Sequence, residues 1–166
     1  MLAIGRHTDY AARVVLHLAS SKDGARVTAR TIAEKRLIPR AFVRRIVSRL
    51  SAAGILRTTR GQGGGITLAR PPSKISLLDV LEAMEGPVVL NGCVAEPGSC
   101  PISDACPVRR CWGGVNARLA KDLGRQSFAM LAKKLKGGER GSPDGEEPAG
   151  RKPVKRGRKS VSAGEV

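Results

Sequence analysis

Cys93, Cys100, Cys106 and Cys111 are the only cysteines of the chain, and all four fall in one short stretch of its 166 residues. Four soft ligands in one loop suit a metal or a redox centre. The spacing C-x6-C-x5-C-x4-C lacks the paired C-x2-C knuckles of a zinc ribbon and leaves room for something larger than one ion. An iron-sulfur cluster is the leading expectation, of 2Fe-2S or 4Fe-4S type. The alternative is a cluster-free sensor whose thiols form a disulfide or take zinc under stress. Enzyme chemistry is not expected, because there is no Ser/His/Asp arrangement, no nucleotide motif and only 2 histidines.

The elements that must position this loop carry a second signal, in charge. The formal charge is +16, and residues 1–70 hold 14 Lys/Arg against 3 Asp/Glu, whereas 71–136 hold 9 against 6. Such a basic half is the footprint of a polyanion partner, since neutralising phosphates releases counterions. With only Tyr10, Phe42, Trp112 and Phe128 aromatic, a stacking platform for single strands is hardly available, so duplex DNA is expected. Residues 1–20 contain no uninterrupted apolar core and no long apolar span occurs elsewhere, so a cytoplasmic protein without a membrane segment is expected.

Helical spacing of Tyr10, Ala11, Val14, Val15, Leu18 and Ala19 predicts a first helix over 8–20. Thr28 is placed to cap a short second helix over 29–35. Pro39 suits the first turn of a third helix to about residue 53, with Phe42, Val43, Ile46, Val47 and Leu50 inward and Gly54 ending it. The opposite face carries Arg40, Arg44, Arg45 and Arg49, with no acid between Glu34 and Asp79 to balance them. Helix, short helix and basic helix form the pattern of a helix-turn-helix.

Two β-prone runs, 55–60 and 66–70, flank the glycine-rich turn 61–65 and read as a hairpin, the wing of a winged helix. Arg60 at its tip suits a narrow minor groove, and Gly61, Gly63 and Gly64 allow close backbone approach. Together with Thr28, Arg40, Ala41, Arg44, Arg45 and Arg49, these residues make up the expected DNA-binding set. Ser76 and Asp79 approximate a capping box for a fourth helix ending at Gly86-Pro87. After the cysteine loop, residues 107–136 look helical, with a stripe of Trp112, Val115, Leu119 and Leu123 and a later one of Phe128, Leu131 and Leu135, separated near Gly124. A helix too long for this small domain to cover exposes its stripe, which pairing with a second subunit would bury. The expected organisation is therefore mainly α with a small β-hairpin. A winged helix-turn-helix occupies 1–72, the cysteine loop and dimerisation helix 73–136, and a disordered basic tail 137–166.

Taken together, the segments TDYAAR (8–13), IPR (38–40), RGQGGGITLARP (60–71) and ISLLDVLEAMEG (75–86), followed by Cys93, Cys100 and Cys106, resemble the IscR/NsrR family of bacterial winged-helix repressors over about residues 1–136. The resemblance implies a homodimer that represses transcription from a double-stranded operator and binds an iron-sulfur cluster through three cysteines and one further ligand. Two departures stand out. The first cysteine gap holds six residues where family members often have five or fewer, and Cys-Pro-Val-Arg-Arg-Cys offers no histidine after the third cysteine. The fourth ligand stays open between Asp9, near the start of the first helix, and Cys111, with His7 behind them.

Overall fold

The computed structural model describes residues 3–21 and 25–138, so all but the first two residues of the tail 137–166 lie outside it. Helix α1 (Arg6–Ser20) forms where the apolar spacing predicts, and buries Ala11, Val14, Val15 and Leu18. Helix α2 (Ala29–Arg36) starts at Thr28, whose hydroxyl accepts the Thr31 N–H at 3.1 Å and satisfies an amide the helix leaves unpaired. It ends at Leu37, which takes a left-handed φ of 53° to make the sharp turn into α3 (Arg40–Ala52). Pro39 stands at the N-cap of α3 rather than inside its first turn.

Strands β1 (Leu56–Thr59) and β2 (Gly65–Leu68) pair antiparallel, Leu56 opposite Leu68 and Thr59 opposite Gly65. Val27, from the connection between α1 and α2, adds a bridge to Ile66 through two backbone hydrogen bonds of 3.1 and 2.9 Å. This third contact anchors the wing to the helical body. The turn at the wing tip admits no side chain at Gly64, where a Cβ would stand 2.3 Å from the Thr59 carbonyl oxygen.

Helix α4 (Leu77–Glu85) opens with the complete capping box: Ser76 Oγ accepts the Asp79 N–H at 3.1 Å and the Asp79 carboxylate accepts the Ser76 N–H at 2.6 Å. The cysteine segment contains the short α5 (Gly92–Ala95) and a 3-10 turn, Pro97–Ser99. Beyond it the expected helical stretch is two helices, α6 (Pro107–Arg125) and α7 (Phe128–Gly138), separated at Gln126 and Ser127, two residues past Gly124.

At that break the chain turns back. The Leu77 N–H donates to the Gln126 carbonyl and the Phe128 N–H to the Ile75 carbonyl, both at 2.9 Å, and α7 then packs along α1. Phe128 is fully buried in the same core as Ile46, Leu50, Ile75 and Val80. One apolar core therefore joins α1 to α4, the base of the wing and α7. None of the 19 residues of α6 is buried. No helix among the described residues is long and apolar enough to cross a membrane.

Candidate nucleic-acid interface and cysteine loop

Because Val43, Ile46, Val47 and Leu50 face the core, helical geometry turns Arg40, Ala41, Arg44 and Arg45 to the surface, where all four are exposed. Arg44, Arg45 and the wing's Arg60 have no ion-pair partner among the described residues. Arg40 instead reaches back 2.9 Å to Glu34, which also accepts from Arg30 at 2.9 Å. The hydrogen bond from Arg30, with that from Arg40 and both charges, outweighs desolvation and holds the Glu34 carboxyl below its ordinary range. Both pairs are open to water, so a phosphate can replace the carboxylate at small cost.

Arg49 has a different fate. Although the residue stays exposed, its guanidinium donates to the Met84 carbonyl at the end of α4 and so ties α3 to that element. Thr28 remains exposed while capping α2. At the wing, Gly61, Gly63 and Gly64 form the tip, and Arg26 donates to the Gly63 carbonyl at 3.0 Å. Arg26 escaped the sequence reading because nothing local distinguishes it from the other basic residues of 1–70.

The end of α4 is a junction. The Glu85 carboxylate accepts from the Gly5 N–H at 3.2 Å and from the Thr8 hydroxyl, while Arg49 holds the neighbouring Met84 carbonyl. The N-terminus of α1, α3 and α4 thus meet around a small cleft of about 180 Å³ that Arg45 and His7 also line. His7 packs against Phe42 of α3 in a tilted arrangement, with ring centroids 4.8 Å apart. The cysteine segment leaves from this junction at the next residue, Gly86.

Within that segment all four cysteines are free thiols: Cys93 on α5, Cys100 after the 3-10 turn, Cys106 at the N-cap of α6 and Cys111 one turn into α6. The first three are half-buried and Cys111 is exposed. Asp9 lies on α1, paired with Arg13 at 2.6 Å and open to solvent. Among the described residues no three His, Cys, Asp or Glu side chains of the single chain are gathered as a metal site. The loop is held by other groups: Arg109 of α6 donates from Nε to the Cys93 carbonyl at 3.0 Å and from Nη1 to the Ser103 carbonyl at 3.2 Å, and the Asn116 side chain accepts the Leu90 N–H at 3.0 Å. The sequence marks 107 as a helix start and shows no histidine at 107–110, but Arg109 was given no role from it. A basic residue one helical turn after Cys106 was the available signal.

The buried His17 sits away from both regions. Desolvation, with the Arg36 and Lys35 charges, holds its pKa below the ordinary 6.5, and Arg36 Nε donates to its Nδ1 at 3.2 Å. That bond requires Nδ1 to be unprotonated.

A family model described as Rrf2, iron-dependent transcriptional regulator, matches residues 4–134. Among solved structures, the chain is similar to CymR of B. subtilis, described as the global cysteine regulator, at TM-score 0.65 and 22% identity, over 81% of this chain and 98% of that one. It is similar to IscR of T. potens at TM-score 0.68 and 20% identity, over 85% and 93%. The oxidised form of CymR from Staphylococcus aureus matches at 0.60 and 21%, over 80% and 97%. At these identities the three likenesses are of fold.

Proposed function

The chain belongs to the Rrf2 family of transcriptional regulators, and we propose that it acts as a homodimeric repressor whose affinity for a double-stranded operator is set by an iron-sulfur cluster. The ligands are Cys93, Cys100 and Cys106, completed by Asp9 or Cys111. The observation that carries this reading is the junction at the end of α4, where Arg49 of the recognition helix and Gly5 and Thr8 at the start of α1 are held one residue before the cysteine segment begins. The donor set fits such a group by chemistry: four thiols, none in a disulfide, three of them half-buried. When bound, the cluster supplies a centre that iron supply, oxidation or nitric oxide can alter.

The chain's own residues do the rest. Arg40, Arg44 and Arg45 meet phosphates and base edges, Arg60 enters the minor groove beside them, and Arg26 keeps the wing tip in place. A second copy covers the face of α6 that carries Trp112, Val115, Leu119 and Leu123, which puts two recognition helices about 34–36 Å apart on an inverted repeat. Movement of the segment that starts at Gly86 pulls on Met84 and Glu85, and through Arg49 on α3. A coupling of about 1–3 kcal/mol is enough to change operator affinity roughly 5–150-fold.

Anaerobic purification tests the reading. Near-equal iron and sulfide, visible absorption, and operator binding that changes after air or nitric oxide are expected, and the Arg44→Ala, Arg60→Ala double variant should lose at least about tenfold in affinity. Unchanged binding by that variant overturns the interface. A cluster-free regulator working through thiol oxidation or zinc is the second reading, favoured by the absence of a gathered three-ligand group among the described residues of one chain. Colourless protein with stoichiometric zinc decides for it.

A further inference from the structure

Ser103 is the one buried residue between Gly86 and Arg125, and its Oγ has no hydrogen-bond partner among the described residues. A hydroxyl taken out of water and left unpaired destabilises its surroundings, so a chain retains one where something else uses it. Its neighbours say what that is. The Ser103 N–H donates to the Cys100 carbonyl at 3.0 Å, and its carbonyl accepts the Cys106 N–H at 3.4 Å. The same carbonyl accepts Arg109 Nη1 at 3.2 Å, and Arg109 Nε reaches the Cys93 carbonyl at 3.0 Å. The backbones of all three of these cysteines are thus bonded to Ser103 or Arg109. Cys111 takes no part in this frame.

We propose that Ser103 and Arg109 form the frame of the ligand site: Arg109 is a positioning residue that sets Cys93 against Cys100 and Cys106, and Ser103 Oγ is the donor kept for a sulfur of the group those thiols hold. The proposal rests on the cluster reading above. A guanidinium stays protonated and cannot be a ligand, so Arg109 contributes only as donor and fixed charge. An O–H donor to a cluster sulfur favours the reduced, more negative state and raises the reduction potential. Because these bonds single out Cys93, Cys100 and Cys106, the fourth ligand comes from outside the frame.

The test uses the full chain, purified anaerobically as wild type, Ser103→Ala, Ser103→Thr and Arg109→Ala, with iron and sulfide content, midpoint potential, Fe–S stretching frequencies and melting of the metal-free protein measured on each. Ser103→Ala should keep its iron, move to a more negative potential with shifted stretching frequencies, and melt no earlier than wild type when metal-free. Ser103→Thr should restore the potential. Arg109→Ala should release iron to a chelator about tenfold faster while melting normally. An unchanged potential and spectrum in Ser103→Ala overturn the donor role, and unchanged iron release in Arg109→Ala overturns the frame. Wild-type protein without iron and sulfide instead overturns the cluster reading, and this proposal with it.

Discussion

The packed body and the cysteine segment differ in what holds them together. In the body, α1 to α4, the wing and α7 share one apolar core that includes Val14, Ile32, Ile46, Leu50, Ile75 and Phe128, all essentially inaccessible to water. From Gly86 to Arg125 the buried residue is a serine: α6 lies along α4 with side chains such as Leu119 and Leu123 only half-buried, and the cysteine loop is held by polar bonds to Arg109 and Asn116. Apolar burial is non-directional and robust, whereas a few partly exposed hydrogen bonds hold a segment only weakly. The contrast suits a transcriptional regulator of the proposed kind: the helix-turn-helix and wing keep their shape, and the cysteine segment is held loosely enough to respond to a bound group.

The largest effect that could break this contrast comes from its two late aromatic residues. Phe128→Ala should cost about 3–5 kcal/mol in a denaturant titration of the metal-free protein, because it empties the shared core. Trp112→Ala on α6, 39% exposed, should cost at most about 0.5 kcal/mol in the same titration at high dilution. Equal losses would mean that the segment is packed as firmly as the body.

Gly64→Ala sharpens the comparison within the body. Its Cβ would strike the Thr59 carbonyl, so the wing must deform, with an expected loss of about 1–3 kcal/mol and weaker operator binding in a titration by fluorescence anisotropy. Wild-type affinity in this variant would show that the wing tip is not read by DNA.

A smaller loss, about 1 kcal/mol, is expected for Ser76→Ala, which removes the cap of α4. Burial by itself would raise the pKa of Asp79, but the hydrogen bonds from the Ser76 hydroxyl and N–H, together with Arg70, outweigh it and hold the carboxyl below its ordinary 3.8. That stability is present above pH 3.8 and is lost as pH falls below it, so the difference between Ser76→Ala and wild type should narrow in acid.

The smallest expected effect is at His17. Its folded pKa lies below 6.5, so the unfolded chain binds the extra proton first; the neutral ring contributes stability above pH 6.5 that is lost as pH falls through the lowered folded value. His17→Gln should flatten this part of the melting-temperature profile. An unaltered slope between pH 7 and 5 would remove His17 from the account.

Much of the fold was legible because its signals are local. The apolar spacing of α1 and α3, the Thr28 cap and the Ser76-Asp79 box each lie within a few residues, and each forms where expected. The Val27 bridge, the return of α7 onto α1 and the use of Arg49 by α4 were not legible, since each joins residues far apart in the chain. Arg49 looked like its neighbours on the arginine face, and only the position of α4 tells it apart.

By itself the sequence determined the helix-turn-helix, the wing, the basic half of the chain and the placing of four thiols in one short stretch, because propensity, capping and charge are properties of short stretches. Tertiary structure decided which arginine of the exposed face is bonded to a distant element, that the last helix joins the first core, and that Arg109 and Ser103 bind the backbones of three cysteines and omit the fourth. Those outcomes depend on which distant carbonyl comes within about 3 Å of a donor, the reach of a hydrogen bond, and only packing sets that distance.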